Sequence, residues 1–306
     1  MKSPASAPSN VLLAVGLMLA ATVFLGFLDV CAKALGTRFP VTQLVWVRMA
    51  VHLLLAIIIF YPRSGRRLFR TSAWRLQLAR SALLLTTGLL FFLALRYLPL
   101  AETAAITFSS PLLTVVLAGP VLGERLTRAR LAIAVLGFCG VVAVIQPFTA
   151  TLTPAVLLAL AAAVTASLYA LLTRSMRTDE DAATTWAYTA VAGAILLPLT
   201  IPFGWTMPDP VDGFLLIMLG IFGGFGHLAI IHAYRLATAS LIAPLGYFEL
   251  AWATVLALVL FAEFPNPLAL VGMAIIAVSG VLIAGEHYRQ EAGLRPGLRR
   301  GERGAS

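Results

Sequence analysis

Charge is what this chain has least of: Asp, Glu, Lys and Arg together make up 11% of its 306 residues. A water-facing domain carries about a quarter charged residues, so a soluble globular body is excluded. Cysteine is almost absent. Cys31 and Cys139 both fall inside apolar runs, which excludes a disulfide framework and offers no thiolate metal site. No group of His, Cys, Asp and Glu has metal-ligand spacing, and GxxxxGK[ST] does not occur. Neither a metal nor any other cofactor is expected, and ATP is not the direct energy source. A lipid-acting enzyme would need a nucleophile or metal cluster at an interface, and none is found. Long polar segments are missing too, so no soluble domain sits between the apolar runs. Strict alternation is lacking, which excludes barrel strands.

What is present is hydrocarbon. Hydrophobic residues make up 60% of the chain, with a mean hydropathy of +0.94. A membrane-crossing helix takes about 20 predominantly apolar residues. Runs of that kind lie near 11–35, 42–61, 78–97, 101–122, 129–148, 154–176, 184–203, 213–234, 239–262 and 267–285. The spacing predicts an all-α polytopic membrane protein with ten transmembrane helices. The first run is longer than a signal-peptide core and continues into Asp29 and Lys33, so it is expected to remain as a helix. The arginine-rich segment 286–306 reads as a disordered, solvated cytoplasmic tail, and residues 1–10 as a cytoplasmic N-terminus.

The formal charge of +9 suggests nucleic acid until its placement is read. With the N-terminus cytoplasmic, seventeen of the 22 basic residues fall on inside-facing segments. Only Arg38 and Arg96 face outward, and Lys33, Arg48 and Arg80 lie within spans. This is a positive-inside pattern, which places both termini in the cytoplasm of a cell with an inner membrane. The basic loops face anionic lipid headgroups, not a nucleic acid.

Residues 94–124 (ALRYLPLAETAAITFSSPLLTVVLAGPVLGE) align without gaps on 233–263 (AYRLATASLIAPLGYFELAWATVLALVLFAE). Arg96 meets Arg235, Ala104 meets Ala243 and Glu124 meets Glu263. Two copies of five spans, 11–148 and 154–285, must enter the membrane in opposite senses because five is odd. Inverted repeats place a substrate site near the midplane and support alternating access.

The run FFLALRYLPLAETAAITFSSPLLTVVLAGPVLGERL resembles the third and fourth spans of the EamA family, in the drug/metabolite transporter superfamily. FLDVCAKAL with PVTQLVWVRMAVHLLL is similar to the opening of that repeat, and AYRLATASLIAPLGYFELAWATVLALVLFAEF with GMAIIAVSGVLI to its second copy. The resemblance covers about residues 11–285. It implies two inverted five-helix repeats and secondary transport of a small organic metabolite, amino-acid-like or opine-like, with export favoured. The alternative it implies is uptake of a riboflavin- or S-adenosylmethionine-type compound. A non-transporting membrane scaffold is the reading from another class. Many members carry Glu-Pro in the ninth span where this chain has Glu249-Leu250.

Ionisable side chains inside spans need partners or a water-filled cavity. Counting 1.5 Å per residue brings Asp29 and Arg48 to nearly the same depth. Lys33, four residues after Asp29, shares its helix face. An Asp29–Arg48–Lys33 cluster serves either as a structural ion pair or as an anion-attracting feature near the outer mouth. Glu249 sits at mid-membrane, with His227 within about one turn in depth. Low dielectric penalises a charged carboxylate, which suits Glu249 to proton coupling or to a substrate ammonium. His227 follows Gly223-Gly224-Phe225-Gly226, where a packing histidine is the commoner outcome. His52 is expected near the cytoplasmic interface, and Arg80 is expected to snorkel towards it.

Tyr247 and Trp252 flank Glu249 and are the aromatic candidates for a pocket. Trp46 and Trp186 read equally well as an interfacial belt. Ser110, beside Pro111, gives a polar patch in the fourth span, and Pro244 with Gly246 does so in the ninth. The Gly272, Ser279 and Gly280 face of the tenth span suits helix pairing, including a homodimer.

Overall fold

A computed structural model describes residues 8–122, 127–146, 153–175, 180–237 and 239–293. Among them, regular secondary structure is entirely helical. Ten segments are long and apolar enough to cross a membrane. The first half contains α1 (Pro8–Leu35), α2 (Val41–Ser64), α3 (Trp74–Leu95), α4 (Leu100–Thr107), α5 (Ser110–Leu122) and α6 (Arg128–Ile145). The second contains α7 (Pro154–Ser175), α8 (Ala182–Leu196), α9 (Pro210–Leu236), α10 (Ala239–Ile242), α11 (Phe248–Phe261) and α12 (Pro267–Gly293). The fourth span is α4 with α5, and the ninth is a turn of 3-10 helix with α11. Glu124, which the repeat alignment pairs with Glu263, lies outside the described residues. The tail is helical to Gly293, and residues 294–306 lie outside the described part.

Local chemistry sets the ends. Asp181 accepts from the Ala183 amide and Asp209 from the Asp212 amide, capping α8 and α9. Asn266 accepts from the Ala269 amide at 2.9 Å and caps α12. Each satisfies a donor that the first helical turn leaves free. Proline explains the two broken spans. α4 stops at Thr107 and α5 begins at Ser110, with Pro111 in its first turn, where no amide donor is missed. In the ninth span, Pro244 opens a 3-10 turn, Ala243–Tyr247, and α11 follows. The repeat alignment sets Phe108 against Tyr247, so the breaks coincide. The second copy therefore breaks before Glu249 although Leu250, not proline, follows it.

Packing repeats under exchange of the halves. The first span lies on the eighth, and the sixth on the third; the second span lies on the eighth, and the seventh on the third. The second and seventh spans pair with each other, as do the fifth and tenth. Exchanging repeats of five helices leaves this pattern unchanged, which is the signature of an inverted pseudo-twofold arrangement.

The glycine face of the tenth span is occupied inside the chain, which corrects its reading as a surface for a partner copy. A Cβ at Gly140 would stand 2.7 Å from the Gly272 carbonyl oxygen. A Cβ at Gly280 would overlap the Tyr247 ring, and Ser279 is buried. Small residues here let α6 and α12 approach closely and seat the tyrosine.

Candidate functional site

One cavity lies between the halves, enclosing about 620 Å³ of empty space, part of it open to the exterior. Six spans of the bundle supply its walls, the fourth through α4 and the break after it. Asp29 comes from α1, Arg48 from α2, Thr87, Gly88, Phe91 and Phe92 from α3, Thr107 from α4, His227 from α9 and Glu249 from α11. Phe108, at the break in the fourth span, also faces it. Asp29 is six residues before Leu35 and Arg48 seven after Val41. At 1.5 Å per residue both stand about 10 Å from the end opposite the arginine-rich loops.

The structure thus brings Asp29, Arg48, His227 and Glu249 to one cavity. Lys33 is not with them. Its Nζ reaches Glu263 Oε1 at 3.0 Å and the Leu98 carbonyl at 2.7 Å. One turn along α1 lifts the ammonium to the end of the bundle, where a carboxylate from the second repeat meets it, so the expected three-residue cluster does not form. Tyr247, Trp252 and Ser110 stand outside the lining. Tyr247 lies 5.7 Å from Phe108 between ring centroids, and Trp252 stacks edge-on against Phe27 at 6.1 Å. Ser110 heads α5 and its carbonyl accepts from Thr114.

The ionisable groups are positioned but not ion-paired. Arg48 Nη2 donates to His227 Nε2 at 3.3 Å, which sets His227 in the tautomer protonated on Nδ1. The guanidinium carbon lies 5.8 Å from the Phe92 centroid. A Cβ at Gly88 would come within 3.1 Å of Arg48 Nη1, and one at Gly223 within 3.1 Å of its Nε. Two glycines on different spans therefore form a sleeve around the side chain. Among the described residues, two ion pairs occur within 4.0 Å, Lys33–Glu263 and Arg38–Asp212. Asp29, Arg48 and Glu249 belong to neither, and neither carboxylate takes a hydrogen bond. The expected Asp29–Arg48 pair is not closed. Three ionisable side chains face one space without an ion-pair partner, and phenylalanine rings supply flat apolar walls beside them.

Several features were not anticipated. His52 is buried, stacked 6.1 Å from His227 and 4.9 Å from Trp186 between centroids, not placed at an interface. Trp186 is fully buried and donates to the Gly224 carbonyl at 3.1 Å, so it belongs to no interfacial belt. Trp46 meets Trp205 edge-on at 5.6 Å. Arg80 does not snorkel: it is 1% exposed and donates to the Thr185 carbonyl and Thr189 Oγ1. The cavity residues of α3 carry no sequence signal, because Gly88, Phe91 and Phe92 are as apolar as lipid-facing neighbours. Among the described residues, no three His, Cys, Asp or Glu side chains converge to hold a metal.

Comparisons with known proteins agree with this architecture. The chain is 27% identical over 258 residues to an S-adenosylmethionine uptake transporter of Rickettsia prowazekii, covering 83% of this chain and 86% of that one. It is 27% identical over 291 residues to an uncharacterized transporter of Helicobacter pylori, covering 90% and 96%. A riboflavin transporter of Brucella anthropi is 26% identical over 284 residues, covering 90% and 98%. A solved crystal structure shares the fold with a TM-score of 0.63 at 22% identity, over 93% of this chain and 99% of that one. The EamA-like transporter family model matches residues 12–146 and again 153–285, one match for each half, and the chain belongs to that family.

Proposed function

We propose that this protein is a secondary transporter that takes up a small amphoteric metabolite bearing a flat ring. The unpaired charges around the cavity carry this reading. Two carboxylates and one guanidinium, all without ionic partners, complement a solute with two cationic centres and one carboxylate. S-adenosylmethionine has that pattern in its sulfonium, ammonium and carboxylate, and its adenine suits the walls of Phe91, Phe92 and Phe108. Cations are attracted to such aromatic faces as well as to carboxylates. Riboflavin is uncharged and offers no ionic partner to Asp29, Arg48 or Glu249. The Rickettsia relatives are uptake transporters by name, which favours uptake over the export expected from sequence.

Alternating access follows from the inverted halves, with the arginine-rich loops on the cytoplasmic side of the inner membrane. Glu249 lies in the first turn of α11, at the break of the ninth span. It is the residue proposed to exchange a proton as the solute binds and leaves. Proteoliposomes holding the full chain test the reading. Saturable entry of radiolabelled S-adenosylmethionine is expected, with a loss of at least about tenfold in Asp29→Asn and Glu249→Gln, since each removes a charge-assisted contact. Entry no faster than into empty liposomes would refute the substrate. A metabolite moved equally well by wild type and both variants would refute the site.

A further inference from the structure

Among the described residues Arg80 is the second buried arginine, and it does not line the cavity. Six residues into α3, it stands about 9 Å from the arginine-rich end, while Arg48 stands about 10 Å from the opposite end. The two are therefore placed at matching depths about the midplane. Their surroundings are related. Arg48, on the second span, meets the third and eighth spans, with the first across the cavity, and Arg80, on the third, meets the sixth and seventh. Exchange of the repeats converts the first, second and eighth spans into the sixth, seventh and third. Tyr169 lies 5.2 Å under the Arg80 guanidinium, and Thr185 and Thr189 receive its Nη2.

What these partners leave undone points to a ligand. Among the described residues Arg80 meets no carboxylate, and its Nε has no hydrogen-bond partner. One turn earlier on the same face of α3, Gln77 is fully buried and its Oε1 is also unpartnered. An orphan cationic donor beside an orphan acceptor is the complement of an α-amino acid group. A carboxylate takes the guanidinium, and an ammonium takes the amide oxygen.

We propose that Arg80 and Gln77 form a second binding station, which holds the α-amino acid end of the solute when the bundle opens towards the arginine-rich face. This rests on the amphoteric-solute reading above. Rocking of the halves that parts the third, sixth and seventh spans at the arginine-rich face would expose Arg80 there, where it takes the part that Arg48 plays in the cavity.

The test uses the full chain in proteoliposomes of determined orientation, with S-adenosylmethionine and its decarboxylated analogue as probes. From the arginine-rich face, Arg80→Gln and Gln77→Leu are expected to raise the KM for S-adenosylmethionine about tenfold, the scale of a lost charged hydrogen bond. The KM from the other face stays within about twofold, and Arg80→Gln leaves the KM of the decarboxylated analogue unchanged from both faces. Arg80→Lys keeps the charge but loses the fork, and decides the matter if Arg80→Gln fails to reach the membrane; its rise is about threefold on the same face only. Equal changes from both faces, no change in any variant, or an equal rise for both probes in Arg80→Gln would overturn the station while leaving the cavity reading intact. A wild-type protein that moves neither probe would remove both.

Discussion

At the scale of single residues, the feature with the sharpest consequence is the glycine sleeve around Arg48. A guanidinium held between Gly88 and Gly223, and bonded to His227, has little freedom left to lose when a carboxylate arrives, which is the condition for a strong directional contact. Gly88→Ala sets a Cβ 3.1 Å from Nη1, so the guanidinium must give by a few tenths of an ångström. The expected result is a KM raised about three- to tenfold with protein abundance unchanged, read from uptake and from the amount of purified protein. Gly223→Ala also crowds Leu28 Cδ1 at 2.8 Å and should lower both activity and melting temperature. Depth was readable from the sequence because the helical rise is fixed: the count pairs Asp29 with Arg48 and Glu249 with His227, but it does not bring the two pairs to one cavity. Azimuth was not. In a bilayer, lipid-facing and core-facing positions are equally apolar, so nothing along α3 singles out Gly88 or Phe92, and nothing tells that Arg80 points inward. Lys33 shows the limit of counting by turns. It shares a face with Asp29, but one turn places it beside Glu263, 230 residues away in sequence.

At the scale of elements, the fifth and tenth spans show what holds the two repeats together. α6 and α12 cross at Gly140 and Gly272, and a Cβ on Gly272 would meet Val144 N at 2.9 Å as well as the Gly140 carbonyl. These are backbone atoms, which cannot rotate away. Van der Waals packing, not the hydrophobic effect, drives helix association in lipid, so a forced separation removes the stabilising contact directly. Gly272→Val is expected to cost about 1–3 kcal/mol, the usual scale of overpacking, and to lower the melting temperature of the detergent-purified protein. Because this face is spent within the chain, light scattering should find the oligomeric state unchanged. A shift in oligomeric state with an unaltered melting temperature would contradict the crossing seen here. The breaks in the fourth and ninth spans were legible in outline from Pro111 and Pro244. That they fall in corresponding spans was legible too, but that they break at the same aligned position, Phe108 against Tyr247, was not, since the second copy lacks the Glu-Pro pair and builds its break from a 3-10 turn.

For the whole molecule, the end opposite the arginine-rich loops is fastened by polar contacts that run from one repeat to the other. Lys33 pairs with Glu263 at 3.0 Å, while Glu263 Oε2 accepts from the Leu100 amide at 3.0 Å. Arg38 meets Asp212 at 2.6 Å. Gln43 donates to the Thr206 carbonyl at 2.8 Å and accepts from the Thr206 amide at 3.0 Å. Any motion that parts the repeats at this end must break these contacts, so they bias the balance between the two open forms without touching the solute. Lys33 and Glu263 are partly exposed, at 16% and 30% of their side chains, which limits the pair to about 1 kcal/mol. A bias of that size changes the ratio of two states about fivefold. Lys33→Gln should therefore lower the KM measured at this end and raise it at the arginine-rich face, each by about two- to fivefold. Lys33→Glu combined with Glu263→Lys should bring both values back towards wild type, because the charges meet again in reversed order. High salt should imitate Lys33→Gln in the wild type and add little to the variant, as screening acts on the same pair. Movement of both KM values in one direction would instead assign Lys33 to solute binding, which its position outside the cavity lining argues against.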